Sequence, residues 1–282
     1  VLSSVCKFFN RASSLRIGFE SDQLEHATYL RIHSGVKKSI QLLALEGVVE
    51  GLRERKDQHE IKLIRRACQV TGEVLNTIKD WIRPGIRERD VAAEIDYHLR
   101  LRGAEGVAFK TIVASGPRSA LPHGLPSARR LRKNDIVLID LGAILENYCA
   151  DMTRTLFLGK PNSRMKRTYE RVLDAQQRAI EAVRPGTQAG WLDQLARKVL
   201  KVSDLEKSFS HSLGHGLGLE IHEAPRLARN VKHVLLESSV VTVEPGVYMP
   251  GWGGIRIEDT VLVRKDGCEI LTPDDKNEWV LG

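Results

Sequence analysis

Residues 136–155 of the chain read IVLIDLGAILENYCADMTRT. Four apolar residues lead into Asp140, and an acid in such a continuous apolar strand is costly to bury without a partner. Glu146 and Asn147 offer a turn near the midpoint between Asp140 and Asp151, so a hairpin there would place the two acids directly opposite one another. Like charges that face each other destabilise a sheet unless a proton or a cation lies between them. The stretch therefore predicts a metal site on a β-hairpin.

A second hairpin near the carboxyl end has the same property. The midpoint between Glu244 and Glu258 is Gly251, inside the glycine-rich turn Pro250-Gly251-Trp252-Gly253-Gly254. Any one of these acids, taken alone, could be an ordinary strand-end carboxylate in water. Two facing pairs in matched hairpins favour a shared metal centre, and the surplus of carboxylates suits two ions bridged by shared ligands.

Three of the nine histidines fall in residues 209–223, which read FSHSLGHGLGLEIHE. The alternating glycines argue against a helix and let the backbone approach a ligand closely. We expect His215 in this segment to be a metal ligand. A site of carboxylates with one imidazole suits Mn²⁺ or Co²⁺, and Zn²⁺ is also compatible. His123, in Leu121-Pro122-His123-Gly124, is either a proton donor or oxyanion partner, or an ordinary turn histidine.

The chain repeats one order of elements. Apolar residues recur at helical spacing over 57–83 and again over 169–183. The two stretches close on Arg83-Pro84-Gly85 and Arg184-Pro185-Gly186, and a second helical pattern follows each. Downstream, three landmarks of the first half return in the second: His123 as His222, Asp140 as Glu244, and Asp151 as Glu258. Two unrelated halves that share only common turn residues would explain one of these matches, but the whole series favours an internal duplication.

Composition indicates a folded globular protein, with 42% hydrophobic and 28% charged residues. The most apolar stretch, 136–145, is broken by Asp140, so we expect no membrane association. The net charge of +7 keeps nucleic acid open as a partner but does not favour it, because the basic residues follow helix faces and an ordinary loop. Four cysteines without a C-x-x-C pair favour reduced thiols in a cytoplasmic protein.

The first fifty residues carry less signal. They predict a strand over Arg16–Glu20 and a helix near Gln23–Ile32, followed by a polar link before Ile40. We expect residues 1–50 to be the remnant of a separate small domain and residues 51–282 to be the catalytic domain.

Six motifs together resemble one family. They are Ile139-Asp140-Leu141-Gly142-Ala143, Asp151-Met152-Thr153-Arg154-Thr155, His211-x-x-Gly214-His215-Gly216, His222-Glu223, Glu244-Pro245-Gly246 and Arg256-Ile257-Glu258-Asp259. The chain is similar over residues 57–272 to the pita-bread-fold metallopeptidases, within them the Xaa-Pro dipeptidase (prolidase) and aminopeptidase P branch. The resemblance implies an α+β fold with duplicated halves about a pseudo-two-fold axis, an antiparallel sheet covered by helices, and a truncated amino-terminal domain.

The resemblance also implies the site. In that family two metal ions are held by residues that match Asp140, Asp151, His215, Glu244 and Glu258. The implied reaction is metal-assisted hydrolysis of the peptide bond before proline in proline-containing di- or oligopeptides, most simply Xaa-Pro dipeptides. Glu244 would accept the proton of the attacking water and His222 would hydrogen-bond the oxyanion, while His123 would assist the departing proline nitrogen.

Substrate recognition is assigned to His211 and Arg256. Arg256 lies two residues before Glu258 and so shares its strand face, where it would meet a carboxylate of the substrate or would instead tether the acids electrostatically.

Two alternatives stay open. One is aminopeptidase P, which releases the amino-terminal residue from longer Xaa-Pro peptides; the short loop between Glu244 and Glu258 favours the dipeptidase. The other is a non-catalytic binding module of the same fold, which is disfavoured because all five ligand positions are filled. A homodimer is expected by resemblance, although the domain that often helps to build it is represented here only by a piece.

Overall fold

The computed structural model of the chain describes residues 1–273, 276 and 278–281. The chain divides into two compact units, Val1–Leu52 and Arg53–Gly282. Among the described residues, no helix is both long enough and apolar enough to cross a membrane.

The first unit is small and its sheet has two strands. It contains α1 (Leu2–Phe9), β1 (Leu15–Glu20), α2 (His26–Gly35) and β2 (Ile40–Leu45), and α3 (Val48–Glu54) leads out of it. β1 and β2 pair in parallel. The predicted strand is present, but the predicted helix begins at His26 rather than Gln23, because the backbone N–H groups of Gln23 and Leu24 instead close a turn onto Glu20.

The second unit contains four long helices and fourteen strands among the described residues. The helices are α4 (Gln58–Trp81), α5 (Glu88–Leu101), α6 (Ser163–Glu181) and α7 (Ala189–Lys201), with 3₁₀ turns at Gly116–Ala120 and Glu206–Ser208. The strands are β3 (Gly106–Val107), β4 (Ile112–Ser115), β5 (Ile136–Leu141), β6 (Ala143–Leu145), β7 (Tyr148–Cys149), β8 (Met152–Leu158), β9 (Gly214–Gly216), β10 (Glu223–Leu227), β11 (Val240–Val243), β12 (Gly246–Met249), β13 (Gly253–Arg256), β14 (Asp259–Arg264), β15 (Gly267–Ile270) and β16 (Val280–Leu281).

Local sequence explains where the first long helix begins and ends. The Asp57 carboxylate accepts hydrogen bonds from the backbone of the first turn, and Glu60 bonds back to the N–H of Asp57, which forms a capping box. Pro84 cannot continue the helix, and Gly85 takes a φ of +99° that favours glycine. The same arrangement follows α6, where Gly186 has a φ of +82°.

The internal duplication is confirmed. The antiparallel order β4-β5-β8 in the first half is repeated by β9-β11-β14 in the second. The turn glycines make equivalent bonds, from Gly85 N–H to the Leu131 carbonyl and from Gly186 N–H to the Leu235 carbonyl, both 2.8 Å long. Each half buries an apolar core between its helices and its sheet, and Ile136 and Phe157 of the first half also pack into the core of the second.

The strand register tests the two predicted hairpins. In the second, Val243 pairs with Asp259 and Gly246 with Arg256, so Glu244 and Glu258 fall opposite one another as expected. In the first, Asp140 pairs with Thr153, so the prediction that it faces Asp151 is wrong by two residues.

The physical reason for that shift is the turn. Glu146 and Asn147 both have positive φ, 49° and 69°, so the hairpin is centred between them rather than before Glu146. Because side chains alternate with a period of two, a shift of two residues leaves Asp140 and Asp151 on the same face of the sheet.

Candidate metal centre and active-site cleft

A cleft of about 760 Å³ opens over the paired sheets of the second unit. It is lined by all nine side chains that the sequence nominated: His123, Asp140, Asp151, His211, His215, His222, Glu244, Arg256 and Glu258. The five nominated ligands lie on or beside the ends of five central strands, β5, β8, β9, β11 and β14. The duplicated sheets therefore deliver carboxylates from both halves to one place.

Three of the nominated ligands form a tight cluster. One ligand atom from each of Asp151, His215 and Glu258 lies within 4.8 Å of the other two. His215 Nε2 is 3.5 Å from Asp151 Oδ2 and 3.4 Å from Glu244 Oε1. These separations are suited to donor atoms that share a cation.

The orientation of His215 also suits a ligand. Its Nδ1 is 3.0 Å from the Gly216 carbonyl, which can only accept, so Nδ1 carries the proton and the bare Nε2 faces the carboxylates. Burial lowers the pKa of His215 to about 4, which keeps the ring neutral near pH 7. A neutral imidazole with a free nitrogen is the form that binds metal.

The carboxylates repel one another in the absence of a cation. Burial, followed by the charge of Asp140, raises the pKa of Glu258 to about 8. Burial, followed by the charge of Glu258, also raises the pKa of Asp151 and of Glu244 well above their ordinary values. A divalent ion among these groups would reverse this penalty.

The surroundings of Asp140 test whether the site suits a divalent cation. Its Oδ2 accepts a hydrogen bond of 2.5 Å from Arg256 Nη2, while its Oδ1 is buried and has no hydrogen-bond partner among the described residues. A buried carboxylate oxygen without a donor is costly, and a cation at that position would satisfy it. One imidazole and four carboxylates match the donor preference of hard or borderline divalent ions, so the residues present fit such a centre.

Arg256 links the carboxylates to a second group of side chains. Besides Asp140, its guanidinium donates to Thr153 Oγ1 at 3.0 Å and to the Tyr248 hydroxyl at 2.8 Å. The Tyr248 hydroxyl in turn lies 2.8 Å from His211 Nε2. Arg256 therefore meets a carboxylate, as its strand position indicated, but that carboxylate belongs to the protein itself.

His211 has both ring nitrogens engaged within the protein. Nδ1 lies 2.8 Å from the Ser212 carbonyl and must donate to it, so Nε2 accepts from Tyr248. Burial, and then the charge of Arg256, lowers the pKa of His211 to about 3. The ring is neutral and fixed at the wall of the cleft.

His123 and His222 lie at the exposed side of the cleft. The His222 ring packs edge-on against His215, with centroids 4.4 Å apart. Its pKa is lowered, mainly by burial, and therefore His222 is also neutral near pH 7. Neither residue belongs to the cluster of donor atoms formed by Asp151, His215 and Glu258.

The loop that carries His222 is held by Glu223, whose side chain is only 5% exposed. Glu223 accepts from Lys56 Nζ at 3.1 Å, from Arg53, and from the backbone N–H of Glu220 at 3.0 Å. Lys56 is itself buried, with 4% of its surface exposed. These bonds fix the segment that precedes β10 at the rim of the cleft.

Sequence reasoning missed four residues of the cleft or its surroundings. Lys110 and Arg226 line the cleft with exposed cationic side chains. The hydroxyl groups of Tyr248 and Thr153 accept hydrogen bonds from Arg256. Thr153 could have been noticed because the pleat places it on the face of Asp151. Tyr248 could have been noticed as well, because a hairpin centred on Gly251 places it opposite Gly254, diagonal to Arg256 and on the same face.

Comparison with known proteins identifies the family to which the chain is similar. Residues 62–265 match the model of metallopeptidase family M24. The chain is 46% identical over 232 residues to an Xaa-Pro dipeptidase of Pyrococcus furiosus, an alignment that covers 82% of this chain and 67% of that protein.

Two solved structures share the fold over nearly the whole chain. An Xaa-Pro dipeptidase from Bacillus anthracis superposes with a TM-score of 0.96 at 38% identity, covering 99% of this chain and 78% of the other. An X-Pro aminopeptidase from Thermotoga maritima gives a TM-score of 0.93, also at 38% identity, covering 99% of this chain and 79% of the other. The chain belongs to metallopeptidase family M24 and has the pita-bread fold.

Proposed function

We propose that this protein is an Xaa-Pro dipeptidase that uses two divalent metal ions to hydrolyse the peptide bond before proline. The observation that carries the proposal is the cluster of buried carboxylates around His215 at the floor of the cleft. The names of relatives that share the fold and much of the sequence support the same reaction.

We assign the metal ligands to Asp140, Asp151, His215, Glu244 and Glu258. Ions bound there would acidify a water molecule and polarise the scissile carbonyl. The nitrogen of His215 in an otherwise oxygen donor set favours Mn²⁺ or Co²⁺ over Mg²⁺.

The remaining side chains supply proton transfer and charge stabilisation. Glu244, at the edge of the cluster, accepts the proton of the attacking water. Neutral His222 donates a hydrogen bond to the oxyanion from the exposed side of the cleft, and His123 delivers a proton to the leaving proline nitrogen. Arg256 orients Asp140, and His211 holds Tyr248 in contact with Arg256.

Recognition of a dipeptide requires contacts other than a backbone hydrogen bond, because the amide of proline has no N–H. The walls of the cleft include Phe109, Ile112 and Ile221, which offer apolar surface to the proline ring and to the residue before it. Exposed Arg226 at the rim can pair with the free carboxylate that only a dipeptide places next to proline.

The test uses matched peptides on metal-stripped protein. Xaa-Pro dipeptides, Xaa-Pro-Yaa tripeptides and Pro-Xaa dipeptides are assayed before and after addition of Mn²⁺, Co²⁺ or Mg²⁺. We expect chelation to abolish hydrolysis, and Mn²⁺ or Co²⁺ to restore it better than Mg²⁺, with Xaa-Pro dipeptides cleaved fastest. Full activity in excess chelator after prolonged dialysis would rule out the metal mechanism.

The same assay separates the alternatives. The similarity to the Thermotoga maritima aminopeptidase keeps that activity as a second candidate, and faster cleavage of tripeptides would establish it. Tight Mn²⁺ binding without hydrolysis of any peptide would indicate a binding module. The proposed homodimer is checked separately, by light scattering of the purified protein.

A further inference from the structure

The Thr153 side chain lies between the proposed metal ligand Glu258 and Arg256, which lines the cleft. Its hydroxyl is 2.7 Å from Glu258 Oε2 and 3.0 Å from Arg256 Nε. Thr153 has no exposed surface, and Glu258 is only 1% exposed. Both bonds are therefore shielded from bulk water.

The direction of these two bonds is fixed by chemistry. The Nε of arginine carries a hydrogen and cannot accept, so the Thr153 oxygen must be the acceptor for Arg256. The single hydroxyl proton of Thr153 then points to Glu258 Oε2, which accepts it. Arg256 is held in place by its bonds to Asp140 and Tyr248, so this direction cannot reverse.

The same residue also holds the backbone of the ligand. The N–H of Glu258 donates to the Thr153 carbonyl at 3.2 Å. Thr153 is in β8 of the first half, two residues after Asp151, whereas Glu258 immediately precedes β14 of the second half. One residue thus fixes the main chain and the carboxylate of a ligand contributed by the other half.

We propose that Thr153 is a positioning residue of the metal centre, which holds the Glu258 carboxylate in the place from which it reaches the donor atoms of Asp151 and His215. The proposal rests on the metal-dependent function proposed above. Thr153 contacts no substrate; it acts through Glu258.

Thr155 provides a matched control on the same strand. It is two residues further along β8, on the same face, and has no exposed surface. Its hydroxyl donates to the Arg256 carbonyl at 2.8 Å and accepts from the Arg256 N–H at 3.1 Å. Its side chain makes the same number of bonds as that of Thr153, but only to backbone.

The experiment compares Thr153→Val, Thr153→Ser and Thr155→Val with the wild type. For each metal-stripped protein, the dissociation constant for Mn²⁺ is measured by equilibrium dialysis and the unfolding midpoint by calorimetry. We expect Thr153→Val to weaken Mn²⁺ binding about 10- to 100-fold, the usual effect of removing a group that orients a ligand. Thr153→Ser should bind nearly as the wild type does. Thr155→Val should lose thermal stability but retain wild-type Mn²⁺ affinity.

Equal Mn²⁺ affinity of Thr153→Val and wild type would overturn the proposal, as would equal weakening in Thr153→Val and Thr155→Val. If Thr153→Val does not fold, Thr153→Ser and Thr153→Ala give the same comparison, because both lack the methyl group and differ only in the hydroxyl. A wild-type protein that binds no Mn²⁺ would overturn the metal centre itself, which is a different result from the failure of Thr153 alone.

Discussion

The rings of His215 and His222 are in contact, but their different surroundings indicate different roles. His215 donates through Nδ1 to a carbonyl and presents a bare nitrogen to Asp151 and Glu244. His222 lies on the exposed side and packs edge-on against it. A residue that binds the transition state should affect turnover without affecting metal binding, whereas a ligand should affect metal binding first.

Substitution of each histidine tests this division. His215→Ala should lose metal affinity and regain part of its activity when Mn²⁺ is raised. His222→Ala should keep its metal content and lose about 100- to 1000-fold in both kcat and kcat/KM, as is typical for an oxyanion donor. Bound metal and steady-state kinetics are measured together, and a His222→Ala protein without metal would reverse the assignment.

At the scale of residues, the sequence could identify the chemistry but not all of the contacts. Four acids and one histidine are visible because acids in apolar strands and a histidine among glycines are unusual. The bond of Thr153 to Arg256 is not visible. It depends on how β8 packs against the hairpin of β12 and β13, and that packing joins residues 103 positions apart. The bond of Tyr248 to Arg256 lies within that hairpin, whose predicted centre at Gly251 places the two residues diagonally on one face.

At the scale of elements, turn geometry decided which hairpin could be predicted. The glycine-rich turn at Gly251 is centred on a residue, and the midpoint between Glu244 and Glu258 found it. The turn at Glu146 and Asn147 contains no glycine, and it is closed by the pairing of Leu145 with Tyr148. The sequence identified the correct pair of residues but could not centre the turn between them.

One buried acid of the first half joins a helix, a strand and a loop. Glu88, the first residue of α5, accepts from the N–H and hydroxyl of Ser115, at 2.8 and 2.7 Å, and from the N–H and hydroxyl of Ser127, at 3.0 and 2.6 Å. Burial alone would raise its pKa, but the bonds from Ser127 and Ser115 outweigh burial, so the pKa of Glu88 is lowered. The stability that it contributes is therefore present above its ordinary pKa of 4.5 and is lost as the pH falls through the lowered value.

Glu88→Gln should therefore destabilise the protein most at neutral pH. The amide nitrogen would face hydrogen-bond donors, and we expect a cost of about 1 to 3 kcal/mol in the free energy of unfolding at pH 7. The difference from wild type should shrink in acid, once the wild-type carboxyl is protonated. Urea unfolding at pH 7 and at pH 3.5 measures both values, and a difference that grows in acid would contradict the assigned role.

At the scale of the whole second unit, duplication explains why the proposed metal centre is buried and charged. The first half contributes Asp140 and Asp151, and the second contributes His215, Glu244 and Glu258. The repeat was readable from the sequence, because its turns and acids recur in order. The joining of β8 to the segment before β14 was not, since neither strand carries a local signal for a partner in the other half.

This arrangement predicts opposite effects of one substitution with and without metal. In metal-free protein at pH 8.5, Asp151→Asn removes one of several buried like charges, so it should unfold at a higher temperature than wild type. Mn²⁺ at 100 times its dissociation constant adds about 2.7 kcal/mol to a protein that binds it, and should raise the wild-type midpoint by several degrees. The variant lacks one proposed ligand, so Mn²⁺ should raise its unfolding midpoint by less. Mn²⁺ should therefore reduce or reverse the difference between the unfolding midpoints of variant and wild type.

Calorimetry of both proteins with and without Mn²⁺ checks this, with Asp174→Asn as control because Asp174 pairs with Arg178 on the surface of α6, outside the cleft. The control should gain from Mn²⁺ as much as wild type does, since it leaves every ligand in place. A metal-free Asp151→Asn protein less stable than wild type would show that repulsion does not dominate at this centre. If Mn²⁺ raised the unfolding midpoint of the variant as much as that of the wild type, Asp151 would not bind the ion. The two expectations can fail independently, because the first concerns charge repulsion in the folded protein and the second concerns metal coordination.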